Sequence, residues 1–263
     1  MHPEENALEQ ALRRAAMEPA DRPAFFRLLL ESTVLVLLHP DSPFVEGYQA
    51  LGVGSKILIQ NWQNLDGSLI HPFFSSLDAL QPVLESEEHY LALPARALFG
   101  AFPGASWVLN PGSSCHRTFS ADEIEALLLN GMSCTPIESV VEEMIGFVPF
   151  EPSDYPGAMV ASLTLLLSRH SHVNAAYLAL AYASPAEKMT HLLIGIEADG
   201  DVEKVIYEAG AVAVDTLPGH LINFIEVKRG EPGAGQYFIE KVKPFYERRW
   251  GSKLKSDFGV GHA

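Results

Sequence analysis

The chain has 263 residues, of which 48% are hydrophobic and 19% charged, and it carries a net charge of −15 with a mean hydropathy of +0.09. That length exceeds one average domain and that composition supplies ample core, which excludes a disordered chain and favours two compact units. The acidic balance excludes broad attraction to nucleic acid or anionic lipid, and no apolar run approaches the roughly 20 residues of a bilayer span.

Residues 4–17 read as a helix with Leu8, Leu12, Ala15 and Ala16 on one stripe. Glu4 and Glu5 precede Arg13 and Arg14, an order that suits a helix dipole and not a secretory leader, which opens basic. Pro19 stops this helix, and Asp21 and Pro23 start a second. Residues 34–38 make a short buried strand, followed by a loop at 39–55. Residues 57–62 and 69–74 flank Asp66-Gly67, a hairpin signal because glycine accepts the positive φ of the turn. Pro72 weakens pairing there, and the adjacent Phe73 and Phe74 are expected on opposite faces, one in the core and one exposed. Leu77, Leu80, Val83 and Leu84 carry helical spacing, 90–93 and 107–109 read as strands, and Ser120 with Glu123 forms a capping box before a helix.

The boundary is expected within 130–136, dividing the chain into 1–133 and 134–263. A strand over 145–150 opens the second unit. A helix from Pro156 follows, with Met159, Val160, Leu163, Leu166 and Leu167 facing the core. Residues 174–183 and 190–197 read as a hairpin joined by a Ser-Pro-Ala-Glu turn. Val202, Val205, Ile206, Ala209, Val212 and Ala213 mark an amphipathic helix capped by Asp199 or Asp201. A strand over 221–227 precedes a last helix striped by Tyr237, Phe238, Val242 and Phe245. The fold class is α+β: two consecutive domains, each a small mixed or antiparallel sheet with helices packed on it.

Five segments together resemble the enhanced serine sensitivity protein (SseB) family of bacteria: 19–34 (PADRPAFFRLLLESTV), 66–80 (DGSLIHPFFSSLDAL), 192–201 (LLIGIEADGD), 212–219 (VAVDTLPG) and 245–251 (FYERRWG). The likeness covers most of the chain and is weakest in the loops at 39–55 and 110–117. It implies an SseB N-terminal-like domain followed by a C-terminal-like one. The family's name reports a phenotype, heightened sensitivity to serine on overproduction, so the resemblance implies no reaction, cofactor or catalytic residue.

The residues themselves agree. Glu197, Asp199, Asp201 and Glu208 fall where a calcium loop would place oxygen ligands, but the position that needs glycine holds Val202, so helix capping explains the aspartates better. His170 and His172 lack a second ligand pair and read as solvated histidines at a helix end. Cys115 and Cys134 are too few for a disulfide framework and suit a reduced, cytoplasmic protein; Cys115-His116 adjoin only in sequence. The glycine-rich pieces at 52–56 and 230–235 lack phosphate-loop spacing, and Ser252 with Lys255 lacks the other elements of a serine-lysine enzyme.

One region stands out. Residues 241–255 carry a local charge of +5, leaving −20 on the rest, so this end either docks on a partner or folds back onto its own acidic body. Tyr246, Arg248, Arg249 and Trp250 combine aromatic faces with guanidinium forks and are the expected partner-binding residues. The expected function is a non-catalytic module that binds a protein or small metabolite, without cofactor or metal. The alternative is an accessory component or weak enzyme of amino-acid or sulfur metabolism.

Overall fold

A computed structural model describes residues 5–42, 58–63, 67, 69–133, 146–148, 155–182, 191–230 and 233–248. The chain divides into two compact units, Met1–Thr135 and Pro136–Ala263. Both are α+β, with eight α-helices and eleven strands among the described residues.

The first unit opens with α1 (Ala7–Met17), whose cap is Asn6 and not a residue of the acidic opening. Asn6 and Glu9 form a reciprocal capping box, and Ala11 takes the buried position expected of Ala16, which is exposed. A 3₁₀ turn (Pro19–Asp21) leads into α2 (Arg22–Glu31); Glu18 caps the turn, and Asp21 makes no capping bond. The strands β1 (Thr33–Leu37), β2 (Trp62–Gln63) and β3 (Leu69–Phe73) follow, then α3 (Leu77–Leu80), β4 (Tyr90–Pro94), α4 (Ala95–Ala101), β5 (Trp107–Leu109), β6 (Arg117–Phe119) and α5 (Ala121–Asn130). β1 pairs with β4 antiparallel, and the second sheet runs β2-β3-β5-β6 with β3 and β5 parallel. The loop expected at 39–55 and the Asp66 of the hairpin turn lie largely outside the described residues, but β2 and β3 pair antiparallel and Gly67 has φ +83°. Ser120 and Glu123 form the expected capping box, and Gly131 at φ +79° closes α5.

Phe73 and Phe74 correct the expectation that one is exposed, for both are fully buried. Phe73 enters an aromatic core with Phe99, Trp107 and Phe119, meeting Phe99 edge-on at 5.6 Å and Trp107 edge-on at 5.9 Å. Phe74 points the other way into a second cluster with Leu35, Leu37 and Leu80. At the Phe73–Phe74 end of this strand both faces are covered, so alternation there separates two cores and not core from solvent. Pro72 sits between His71 and Phe73, whose peptide groups face β5, so its missing N–H falls on the β2 side, past Ile70, where β2 does not reach. Phe74 then bridges to Leu35, joining that edge to β1.

The second unit comprises β7 (Gly146–Val148), α6 (Gly157–Ser168), β8 (Val173–Tyr182), β9 (His191–Ala198), α7 (Glu203–Thr216), β10 (Ile222–Glu226), α8 (Ala234–Lys241) and β11 (Tyr246–Glu247). β8 and β9 form the expected hairpin; its turn lies outside the described residues. The sheet runs β10-β9-β8, and the far edge of β8 is shared by β11 at Ala175–Ala176 and β7 at Leu180–Tyr182. β9 and β10 are parallel, with α7 as their crossover. α8 covers one face: Phe238 and Val227 pack on Tyr177, Ala179 and Leu193, and Tyr237 stacks on Phe147 at 3.9 Å. Alternation sends Ala176, Leu178, Ile194, Ile196 and Phe224 to the opposite face; all are buried, and the apolar stripes of α6 and α7 supply their cover. Gly195 sits beneath α8, where an added Cβ would lie 2.7 Å from Val227 Cγ2. The last helix is shorter than its apolar spacing predicts. It ends at Lys241, extended backbone begins at Val242, and the Phe245 amide donates to Ala176 O at 2.9 Å. Pro244 cannot continue a helical ladder, so Phe245 enters the sheet edge.

Candidate functional site

The expected partner-binding residues lie at the β11 edge of the second unit, and the structure describes two of the four. Tyr246 pairs with Ala176 and is half-buried. The Arg248 amide donates to Asn174 O at 2.8 Å, while its guanidinium lies 3.5 Å from Asp199 Oδ2. The Arg248 side chain is only 18% exposed, so it holds the end of β11 against the hairpin. Arg249 and Trp250 lie outside the described residues.

Asp199 and Asp201, both expected as caps, divide the work. The cap position of α7 is Val202, so neither aspartate holds it; Asp201, one residue earlier, accepts from the Glu203 amide at 3.0 Å through Oδ1, whereas Asp199 accepts from Asn174 Nδ2 at 2.9 Å and faces Arg248. Glu197 belongs to neither. It is 8% exposed, accepts from the Tyr177 hydroxyl at 3.1 Å and takes two bonds from Arg229, at 2.6 Å from Nε and 3.2 Å from an η nitrogen. Burial first, and then the Glu197 carboxylate, pushes the Tyr177 phenol up to about 12, so it stays a neutral donor. The bond to Glu197 raises the Arg229 guanidinium, whose side chain is 71% exposed. That exposure discounts the ion pair to about 0–1 kcal/mol; its main effect is to satisfy a buried carboxylate. Neither Tyr177 nor Arg229 carried a sequence signal, since one reads as a strand aromatic and the other as a turn residue.

His170 corrects the reading of a solvated histidine. Its Nε2 lies 2.9 Å from Glu208 Oε2, with the two side chains 15% and 2% exposed. Glu208 thus meets the turn that follows α6 and not a calcium loop, and among the described residues no group of three His, Cys, Asp or Glu side chains is placed to hold a metal ion.

The first unit contains a polar cleft of about 590 Å³ lined by Glu5, Glu9, Arg13, Asn110, Ser113 and Cys115. Glu9 Oε1 accepts from the Ser75 and Ser76 hydroxyls at 2.5 and 2.8 Å. Asn110 is 2% exposed and adopts φ +49°, the left-handed region that asparagine tolerates; its side chain accepts from the Ser75 amide and donates to the Ser75 hydroxyl, both at 2.8 Å. These bonds tie the α1 cap to the ends of β3 and β5. Burial raises the Cys115 thiol, outweighing the lowering by Arg13, so it is a poor source of thiolate.

A two-domain α+β chain with a basic segment anchored on the edge of the second unit's sheet is the class these features define. The family model for the SseB protein N-terminal domain matches residues 8–126, and that for the SseB protein C-terminal domain matches residues 149–248. Protein SseB of Escherichia coli K12 and Protein SseB of Shigella flexneri are each 40% identical over 253 residues, covering 95% of this chain and 95% of the relative. The chain belongs to the SseB family. No solved structure matches it.

Proposed function

We propose that this chain is a cytoplasmic, non-catalytic binding protein that engages a partner through its basic-aromatic segment, Tyr246, Arg248, Arg249 and Trp250. The observation that supports the reading is the anchoring of β11: pairing to β8 and the Arg248–Asp199 contact fix the point from which Arg249 and Trp250 follow. An anchor of this kind lowers the ordering cost of presenting an aromatic and a guanidinium to a partner. The serine-sensitivity association of the family fits a regulator or adaptor as readily as an enzyme. The cleft at Glu9, Arg13 and Cys115 favours a second reading, an accessory role in amino-acid or sulfur metabolism with a small metabolite bound there. Affinity purification from native cells, with mass spectrometry of proteins and retained metabolites, separates the two. The double substitution Arg249→Ala with Trp250→Ala should abolish partner capture without shifting the melting temperature. Capture undiminished by that variant overturns the binding-segment reading.

A further inference from the structure

Among the described residues β10 is an edge strand whose outer flank carries no paired strand. Its only strand partner among the described residues is β9. The register and two flanking hydrogen bonds, Leu192 N to Leu221 O and Val227 N to Ile196 O, direct the peptide groups of Asn223 and Ile225 toward β9. Those of Ile222, Phe224 and Glu226 therefore point outward, where an added strand would find them. Beside that flank a groove of about 640 Å³ runs between β10 and the start of α7. Val202, Ile206 and Phe224, all buried, form its floor, and Asp201, Glu203 and Glu226 supply an acidic rim, with Lys228 2.9 Å from Glu226. An edge strand beside a helix, with an apolar floor between them, is the geometry of strand addition by an extended peptide.

The chain's own sequence contains a segment of the complementary pattern. In residues 249–255, RWGSKLK, Arg249, Lys253 and Lys255 fall on one side of an extended strand, and Trp250 and Leu254 on the other. Reach decides which copy supplies it. Arg248 is fixed at β8's far edge, and in the order β10-β9-β8-β11 three strand spacings, roughly 14 Å, separate it from β10. At about 3.3 Å per residue, four or five of the seven residues would be spent crossing, leaving too few to lie along the groove. We propose that residues 249–255 of one copy add as a strand to β10 of a second copy, with the basic side chains over Asp201, Glu203 and Glu226 and the apolar side chains over the floor. This rests on the reading of the segment as a docking element and names its partner as another copy. The contact is heterologous, one copy's tail in the next copy's groove, so it propagates or closes into a ring.

The test uses the full chain and a fluorescent synthetic peptide, RWGSKLK. Sedimentation velocity should show concentration-dependent association of the full chain that weakens as salt screens the rim. The peptide should bind with saturable anisotropy and compete with self-association. Charge reversal by Glu203→Lys together with Glu226→Lys should weaken both readouts by about tenfold or more. Circular dichroism of that variant should match the parent, and Glu226→Pro, which removes one outward N–H at an edge where proline is tolerated, should weaken them without reversing charge. A full chain that stays monomeric at every concentration overturns the second-copy assignment, even if the peptide binds. A peptide whose binding is unchanged by the Glu203/Glu226 reversal overturns the groove. If self-association is absent while Trp250→Ala still abolishes capture from native cells, the inference fails and the functional reading stands.

Discussion

Replacing Gly195 with alanine tests how closely α8 approaches the sheet. The new methyl would lie 2.7 Å from Val227 Cγ2 and 3.0 and 3.1 Å from two ring carbons of Phe238. Carbon atoms sit comfortably at about 3.5–4.0 Å, so the overlap is roughly 1 Å against valine and about half that against the ring. Val227 and Phe238 are 2% and 0% exposed, so neither swings into solvent and α8 must lift instead. Overpacking of this kind costs about 1–3 kcal/mol, while alanine's smaller unfolded-state entropy returns about 0.4–1 kcal/mol. The expected net loss is about 1–2 kcal/mol, read by calorimetry as a fall of several degrees in the transition of the second domain, since about 1 kcal/mol moves such a domain by roughly 2–8 °C. Gly157→Ala at the first position of α6 is the control: nothing lies within 4 Å of its added Cβ, and the change should be neutral or stabilising. Adding Val227→Ala to Gly195→Ala removes the worst contact, so the pair should be less destabilised than the sum of the singles. An unmoved transition in Gly195→Ala, or strict additivity in the double variant, would refute the packing argument.

Tyr177 makes stability depend on alkaline pH. Its folded pKa of about 12 stands above the ordinary 10, so the neutral phenol is favoured in the fold by about 2–3 kcal/mol, a contribution present below pH 10 and lost as pH rises toward 12. Denaturant midpoints across pH 9–12 should fall in the parent and flatten in Tyr177→Phe; parallel curves would contradict the assignment. Cys115 should alkylate slowly, with a pH–rate inflection above that of free cysteine, and Arg13→Ala should move the inflection higher still because Arg13 is the group that lowers it. His170→Ala should cost about 1–3 kcal/mol in urea denaturation by removing a partner of buried Glu208, and a cost near zero would show that the pair holds nothing.

Wherever one element obeys one period, the sequence is legible. The β8–β9 hairpin, α7 with its stripe, and the Ser120–Glu123 cap follow from alternation, helical spacing and capping chemistry. What escaped is short or non-local. β6 has three residues, too few to show a period, and α4 has seven with a glycine among them. The expectation that one of Phe73 and Phe74 is exposed fails because alternation fixes which way a side chain points and not what waits on that side. The candidate site was legible in composition alone: the sequence marks Tyr246 and Arg248 as unusual, but only tertiary pairing brings Arg248 to Asp199, or Tyr177 and Arg229 to Glu197. Such pairs join residues 20 to 32 positions apart in the buried network, a separation no local pattern encodes. Glu208 shows the same limit, since a carboxylate on an apolar helix stripe declares its partner only once α6 is beside it.

The first and last described strands of the second unit lie end to end along one side of β8, β7 against Leu180–Tyr182 and β11 against Ala175–Ala176. Neither is long enough to cover that side alone, so this border of the sheet is complete only when the beginning and the finish of the domain have both arrived. The hairpin and its crossover helix therefore form a nucleus that local contacts can build early, while the outer border is a late, long-range closure. Both strands run antiparallel to β8, so the finish of β11 beside Ala175 and the start of β7 beside Tyr182 lie at opposite ends of that border, about 23 Å apart at roughly 3.3 Å per residue. A linker of about ten residues spanning it, with new ends opened in the β8–β9 turn, should give a permuted chain that keeps every pairing but changes the order in which they form.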